Sequence, residues 1–222
     1  MQQRTPLAFF VLVFIAGCQT IGPPVTKSFS DDHDSMLVED LTYTIDKCKA
    51  QIVVPKGFVT DYASIPQPLW SIGLSPHGKY SKAAIVHDYL YWSQVCTRAQ
   101  ADKLLLIAMK ESGVSSVHQM VIYAGVKLGG GFSWDANQDA RKNGYLKVIP
   151  QNYWNFPMDV TWDQYRDILH SKGITEPFFA ENPPYASAVT KMMFNKITNI
   201  RQVGCAVRTP FRRIEQPCRA DQ

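Results

Sequence analysis

Two apolar helical segments joined by a turn of about four residues constrain this chain more than any other feature. The first is "GKYSKAAIVHDYLYW", residues 78–92, and the second is built on "ADKLLLIAMK", residues 101–110. Ser81 is expected to cap the first helix, which runs to about Ser93. Thr97 and Gln100 form a capping box for the second, which stops near Gly113. So short a link makes the two helices antiparallel neighbours. A third helix, "VHQMVIYAGVKL", opens at a Ser116/Gln119 box and is expected to end at Gly129–Gly131. Upstream, "MLVEDLTYTI" and "KAQIVVPKGFV" read as strands between Met36 and Val59. Beyond Gly131 the chain is rich in Pro, Asn, Tyr and Trp and shows no long periodicity, apart from a short helix near "TWDQYRDILHS". The expected class is α+β: small N-terminal strands packed on three helices, with an irregular C-terminal extension.

The first helix carries His87 and Asp88 in its middle. Ala84, His87 and Tyr91 share one stripe, because residues three and four apart are neighbours on a helix. His87 lies about six residues before the end of its helix and Asp102 four or five after the start of the next, so their depths differ by only a few ångströms. Asp102 also shares a face with Leu105, Leu106 and Met109, which points it inward. A buried carboxylate needs a partner, and His87 is the one at hand. An imidazole held in this way has a fixed tautomer and suits a general base. Asp88 projects about 100° away, toward the loop "GFVTDYASIP", which offers Asp61, Ser64 and carbonyl groups. Such oxygen donors suit calcium. Zinc is the alternative cofactor, drawing on His77 and His87, because zinc favours imidazole. Ser64 with Gln67 reads as a turn cap, and no G-x-S-x-G elbow surrounds it. His118 reads as structural. "DANQDARKNG" begins like a calcium-binding loop but has Ala140 and Leu146 where glycine and glutamate belong.

The N-terminus reads as an export signal. Arg4 precedes the run "LAFFVLVFIA", about ten residues, half of the roughly 20 a membrane span needs. "IAGC", residues 15–18, matches the bacterial lipobox, which implies cleavage before Cys18 and lipid on that residue. Gln19 is not the aspartate that retains such proteins in the inner membrane, so the expected location is the outer membrane, facing the periplasm. Loss of residues 1–17 removes Arg4 alone among charged residues and lowers the net charge from +4 to +3. So mild a balance, on an exported chain, argues against nucleic acid as a partner. Residues 18–36 read as a lipidated tether in which "SDDHD" is solvated, residues 37–131 as the core domain, and 132–222 as the extension. The mature chain retains Cys48, Cys96, Cys205 and Cys218 besides Cys18. An even number in an exported chain suggests two disulfides. Three pairings are open, of which Cys205–Cys218 with Cys48–Cys96 is favoured.

The run "VPKGFVTDYASIPQPLW…HGKYSKAAIVHDYLYW…ADKLLLIAMK" resembles the bacterial and phage family listed as domain of unknown function 1353, over roughly residues 40–130. That family name implies no activity. Separately, "AAIVHDYLY" followed by "AD" and an apolar helix is similar to the phospholipase A2 fold, especially its viral capsid branch. This second resemblance implies His87 as base, Asp88 as calcium ligand and Asp102 as the residue orienting the histidine. The glycine-rich calcium loop of those enzymes has no counterpart, and "GFVTDYASIP" stands in its place. Three functional classes follow. One is a metal-assisted hydrolase of phospholipid esters. Another is a zinc-dependent peptidoglycan hydrolase, although the H-x-x-E-H and H-E-x-x-H signatures are absent. The third is a non-catalytic envelope lipoprotein that binds a partner or excludes phage. Their partners would be the membrane through the lipid anchor, and phospholipid or peptidoglycan as substrate; the oligomeric state is open.

Overall fold

The computed structural model describes residues 24–31, 33–45, 51–62 and 78–177. Cys18, Cys48, Cys205 and Cys218, Ser64 and His77, and the export signal lie outside the described residues.

Among the described residues, five short strands and four α-helices follow in order. Strands β1 (Thr26–Ser28), β2 (Ser35–Leu37) and β5 (Val59–Thr60) form an antiparallel sheet with β2 in the centre. Strands β3 (Leu41–Thr44) and β4 (Gln51–Val54) form a separate antiparallel hairpin. Helices α1 (Ser81–Ser93), α2 (Arg98–Glu111) and α3 (Ser116–Lys142) pack on one another, and α4 (Trp162–Ser171) lies further along the chain. The α+β class and the antiparallel α1/α2 pair stand as expected. Strands β1 and β2 occupy part of the stretch read as a tether.

Helix α1 is buried on nearly every side, which explains its lack of a polar face. One flank packs on the hairpin through Ile85, Tyr89 and Trp92, with Ile52 and Val54 opposite. The other packs on α2 and α3 through Ala84, Leu105, Met109 and Ile122. A separate apolar group joins the three-stranded sheet to α4, where Phe29 stacks on Phe156 at 4.1 Å and meets Trp162 and Tyr165.

The caps on α2 and α4 obey the local sequence. Thr97 and Gln100 make the reciprocal capping box, and Thr161 and Gln164 repeat it on α4. Elsewhere the caps fall one residue earlier than expected. Tyr80 occupies the cap of α1 without a side-chain bond, and Ser115 caps α3 by accepting from the His118 N–H.

Helix α3 does not stop at its glycines. Each glycine costs about 1 kcal/mol against alanine in a helix, yet α3 continues to Lys142. Tertiary contacts beyond the glycines offset that cost. Trp134 and Ala140 pack against the core. Arg141 donates from Nη1 to the Ser93 carbonyl and from Nη2 to Gln94 Oε1, both at 2.7 Å, and so closes the C-terminal end of α1.

The turn from β4 into β5 depends on Gly57. Its φ is +86°, and a Cβ there would lie 2.4 Å from the Ile149 carbonyl oxygen. That close approach lets the Gly57 and Ile149 backbones bond, aligning β5 and the Asp61 that follows it.

Candidate functional site: two aspartate environments beside one histidine

Helices α1 and α2 bring His87 and Asp102 into contact. His87 Nε2 lies 3.2 Å from Asp102 Oδ1, with the histidine 5% and the aspartate 0% exposed. Tyr91, one turn after His87, donates its hydroxyl to the same Oδ1 at 2.6 Å. The Lys127 ammonium on α3 stands 3.7 Å from Oδ2, which has no hydrogen-bond partner among the described residues. Three helices thus converge on one buried carboxylate. Burial alone would push Asp102 up, but the hydrogen bonds from His87 and Tyr91 and the neighbouring charges outweigh it and hold it below the ordinary carboxylate value.

His87 shows the complementary effect. Burial lowers its proton affinity, and this outweighs the hydrogen bond it donates to Asp102 and the charges of Asp102 and Asp61. The imidazole is therefore neutral at pH 7. An ionised carboxylate only accepts, so Nε2 carries the ring proton and Nδ1 keeps the lone pair.

Sequence reasoning named His87 and Asp102 but passed over Tyr91, Lys127 and Gly130. A Cβ on Gly130 would lie 2.4 Å from the Tyr91 hydroxyl oxygen. Glycine at this point of α3 is what leaves space for the tyrosine that holds Asp102. Tyr91 also meets the edge of Trp134 at 5.2 Å, fixing its ring. A signal for Tyr91 was available: it sits four residues after His87 on the same stripe. Gly130 carried none, because the helix was expected to end at the glycines, and Lys127 carried none, because no local spacing relates it to Asp102 on another helix.

Asp88 and Asp61 also come together, in a different chemical setting. Thr60, the last residue of β5, donates its hydroxyl to Asp88 Oδ2 at 2.5 Å and accepts from the Tyr62 N–H at 3.1 Å. Tyr62 adopts a left-handed φ of 54°, an uncommon conformation for an aromatic residue, and turns the chain around Asp61. Burial, the charge of Asp61 and a hydrogen bond shared with Asp61 leave the Asp88 carboxyl well above its ordinary value, against the opposing pull of Lys147 and Thr60. The Asp88 carboxyl therefore keeps its proton to higher pH than an ordinary carboxyl does. Asp34 feels the same field and is pushed up to about 7 by burial and by Asp31 and Asp61. Asp31, expected in a solvated linker, accepts instead from the backbone N–H of Asp34 at 2.9 Å and of Trp162 at 2.7 Å, tying the β1–β2 turn to the start of α4.

Asp61, Asp88 and Thr60 are hard oxygen donors, right in kind for calcium but short of the 6–8 oxygens it takes. Among the described residues, no group of three or more His, Cys, Asp or Glu side chains is close enough to hold a metal ion. The donor set therefore does not amount to a cation cage.

The cysteine expectation needs one correction. Cys96 is a free thiol, so it does not pair with Cys48. It is buried in the core beside Val95 and Ala101, and burial together with the Asp102 charge pushes the thiol up. It packs as a small apolar side chain. The Cys205–Cys218 pairing lies outside the described residues.

A family model described as "Protein of unknown function (DUF1353)" matches residues 35–126, which include β2 to β5, all of α1 and α2, and Thr60, Asp61, Tyr62, His87, Asp88, Tyr91 and Asp102 of the two carboxylate environments; Asp31, Asp34, Lys127, Gly130, Trp134 and Lys147 lie outside the match. A curated relative, "Uncharacterized protein y4jT" of Sinorhizobium fredii, is 35% identical over 71 residues, covering 32% of this chain. The match spans 21% of that protein's own length. No solved structure matches the chain. None of these comparisons shows the likeness to phospholipase A2.

Proposed function

We propose that this chain is an envelope lipoprotein, anchored at the outer membrane through Cys18, whose core hydrolyses ester bonds of phospholipid with His87 as general base. One observation carries the reading: a neutral, buried imidazole is held at Nε2 by a carboxylate that three helices converge on. In this arrangement Nδ1 takes a proton from water as its oxygen attacks the ester carbonyl. The proton then passes to the departing alcohol, leaving acid and alcohol as products. Asp102 fixes the tautomer and stabilises the transient imidazolium, because a charge forming in a buried site gains most from a fixed partner. A calcium ion would polarise the carbonyl, but the described donors are too few to hold one, and no step here depends on it.

The test is hydrolysis of phospholipid vesicles and of purified peptidoglycan, in parallel, with calcium, zinc or chelator. His87→Ala is expected to lower turnover by about two to four orders of magnitude, the usual worth of a positioned base. Asp102→Asn lowers it by disturbing the tautomer, and spectra of each variant establish that it is folded. Zinc-dependent cleavage of peptidoglycan alone would move the chain to the peptidoglycan hydrolases. A folded wild type that cleaves neither substrate under any condition would overturn the catalytic reading. The near-complete burial of His87 then favours a scaffold role, in which the network clamps α1, α2 and α3 in a lipoprotein that binds a partner or excludes phage.

A further inference from the structure

Helix α3 is amphipathic, but the face it turns outward is apolar. Val117, Met120, Leu128 and Phe132 are 64%, 67%, 85% and 84% exposed, and Ala124 is exposed between them. Their spacings of three, four, four and four residues keep them on one stripe of the helix. Ile122 and Gly130 lie on the opposite, buried face. The stripe runs over sixteen residues of helix, and its fifteen steps span about 22 Å at 1.5 Å per residue. No acidic residue occurs between Glu111 and Asp135, while Lys127 flanks the stripe. An exposed apolar surface of this length is uncommon on a monomeric soluble domain and marks an interaction site.

We infer that this face of α3 docks on the surface of an anionic phospholipid bilayer. Two observations favour a membrane over another occupant. The charge pattern is complementary: the stripe carries no acid, and Lys127 at its edge is 43% exposed although it also faces Asp102. The chain outside the described fold is also short on the anchor side. Thr26 in β1 lies eight residue steps after Cys18, which reach at most about 29 Å when fully extended. This second argument rests on the lipid-anchor reading above, and it keeps the domain within about one domain diameter of the leaflet. The helix lies on the bilayer and does not cross it, since no helix among the described residues is long and apolar enough to span a membrane.

The test uses the leaderless chain with Cys18→Ser, which retains every described residue and carries no lipid. It is sedimented with vesicles of phosphatidylglycerol and phosphatidylcholine, and with phosphatidylcholine alone. The expected result is binding to the anionic vesicles, weakened at least about tenfold in the Leu128→Asp/Phe132→Asp double variant. Both side chains are exposed, so the variant keeps its fold, which circular dichroism verifies. Wild type that stays in the supernatant with both vesicle types would overturn the proposal. So would a dimer, seen by sedimentation equilibrium, that the same double substitution abolishes, because the face would then belong to a second copy. The anchor is tested separately by fractionating full-length Cys18→Ala, so either reading can fail without the other.

Discussion

Asp102 is buried and Asp88 half-buried beside the same histidine, yet the two are driven in opposite directions. Asp102 meets donors only: the imidazole N–H, the tyrosine hydroxyl and, further off, a lysine ammonium. Asp88 meets one hydroxyl and another carboxyl. Burial opposes ionisation in both places, so the neighbours decide the outcome. The first environment holds a permanent anion that orients His87. The second raises the proton affinity of Asp88, so its charge depends on pH.

The largest effect that would test this contrast is loss of the Asp102 anion. Asp102→Ala strands the His87 and Tyr91 donors in the core and should cost about 3 kcal/mol or more in urea unfolding. Asp88→Asn should cost less than about 1 kcal/mol at neutral pH. Asparagine mimics the protonated acid, since its amide can donate to Asp61 while its oxygen still accepts from Thr60. A severe loss at Asp88 and a mild one at Asp102 would reverse the assignment.

Next in size is the packing that supports Tyr91. Gly130→Ala drives a methyl into the Tyr91 hydroxyl and should destabilise by about 1–3 kcal/mol. Tyr91→Phe removes one hydrogen bond to Asp102 and should cost about 1 kcal/mol. Because the closest atom to the new methyl is the hydroxyl oxygen, the double variant should be more stable than the two separate losses imply. Simple additivity in that cycle would mean that Gly130 does not act through Tyr91.

Smaller effects follow from pH. Asp34 keeps its proton in the folded chain up to about 7, whereas the unfolded chain loses it near the ordinary 3.8. Its contribution to stability is therefore present at the acid end and is lost as pH rises through this window. His87 works the other way. The folded chain keeps it neutral below the ordinary 6.5, so its contribution is lost as pH falls and the unfolded chain takes up a proton. Asp34→Asn should raise the midpoint of thermal unfolding relative to wild type at pH 8 and leave it nearly unchanged at pH 4. Equal shifts at both values would remove Asp34 from the proton-holding cluster.

The sequence made the first environment legible and the second only in outline. His87 and Asp102 could be paired because helix rise and a short turn are nearly invariant, and the Thr97–Gln100 box set the register. Asp61 and Asp88 could be placed near each other, but their mutual hydrogen bond depends on the left-handed Tyr62 and on Gly57, long-range geometry that no local spacing encodes. The end of α3 was misplaced because three glycines are a strong local stop. The bonds from Arg141 to Ser93 and Gln94, which offset it, span 48 and 47 residues. Strand β1 was missed because Thr26–Ser28 is three residues long and wholly polar.

The most direct measurement of the central claim is nitrogen-15 magnetic resonance of the His87 ring across pH, in wild type and in Asp102→Asn. The account predicts a neutral ring at pH 7 with its proton on Nε2, titrating below the ordinary 6.5, and a disturbed tautomer in the variant. A proton on Nδ1, or an imidazolium at pH 7, would contradict it.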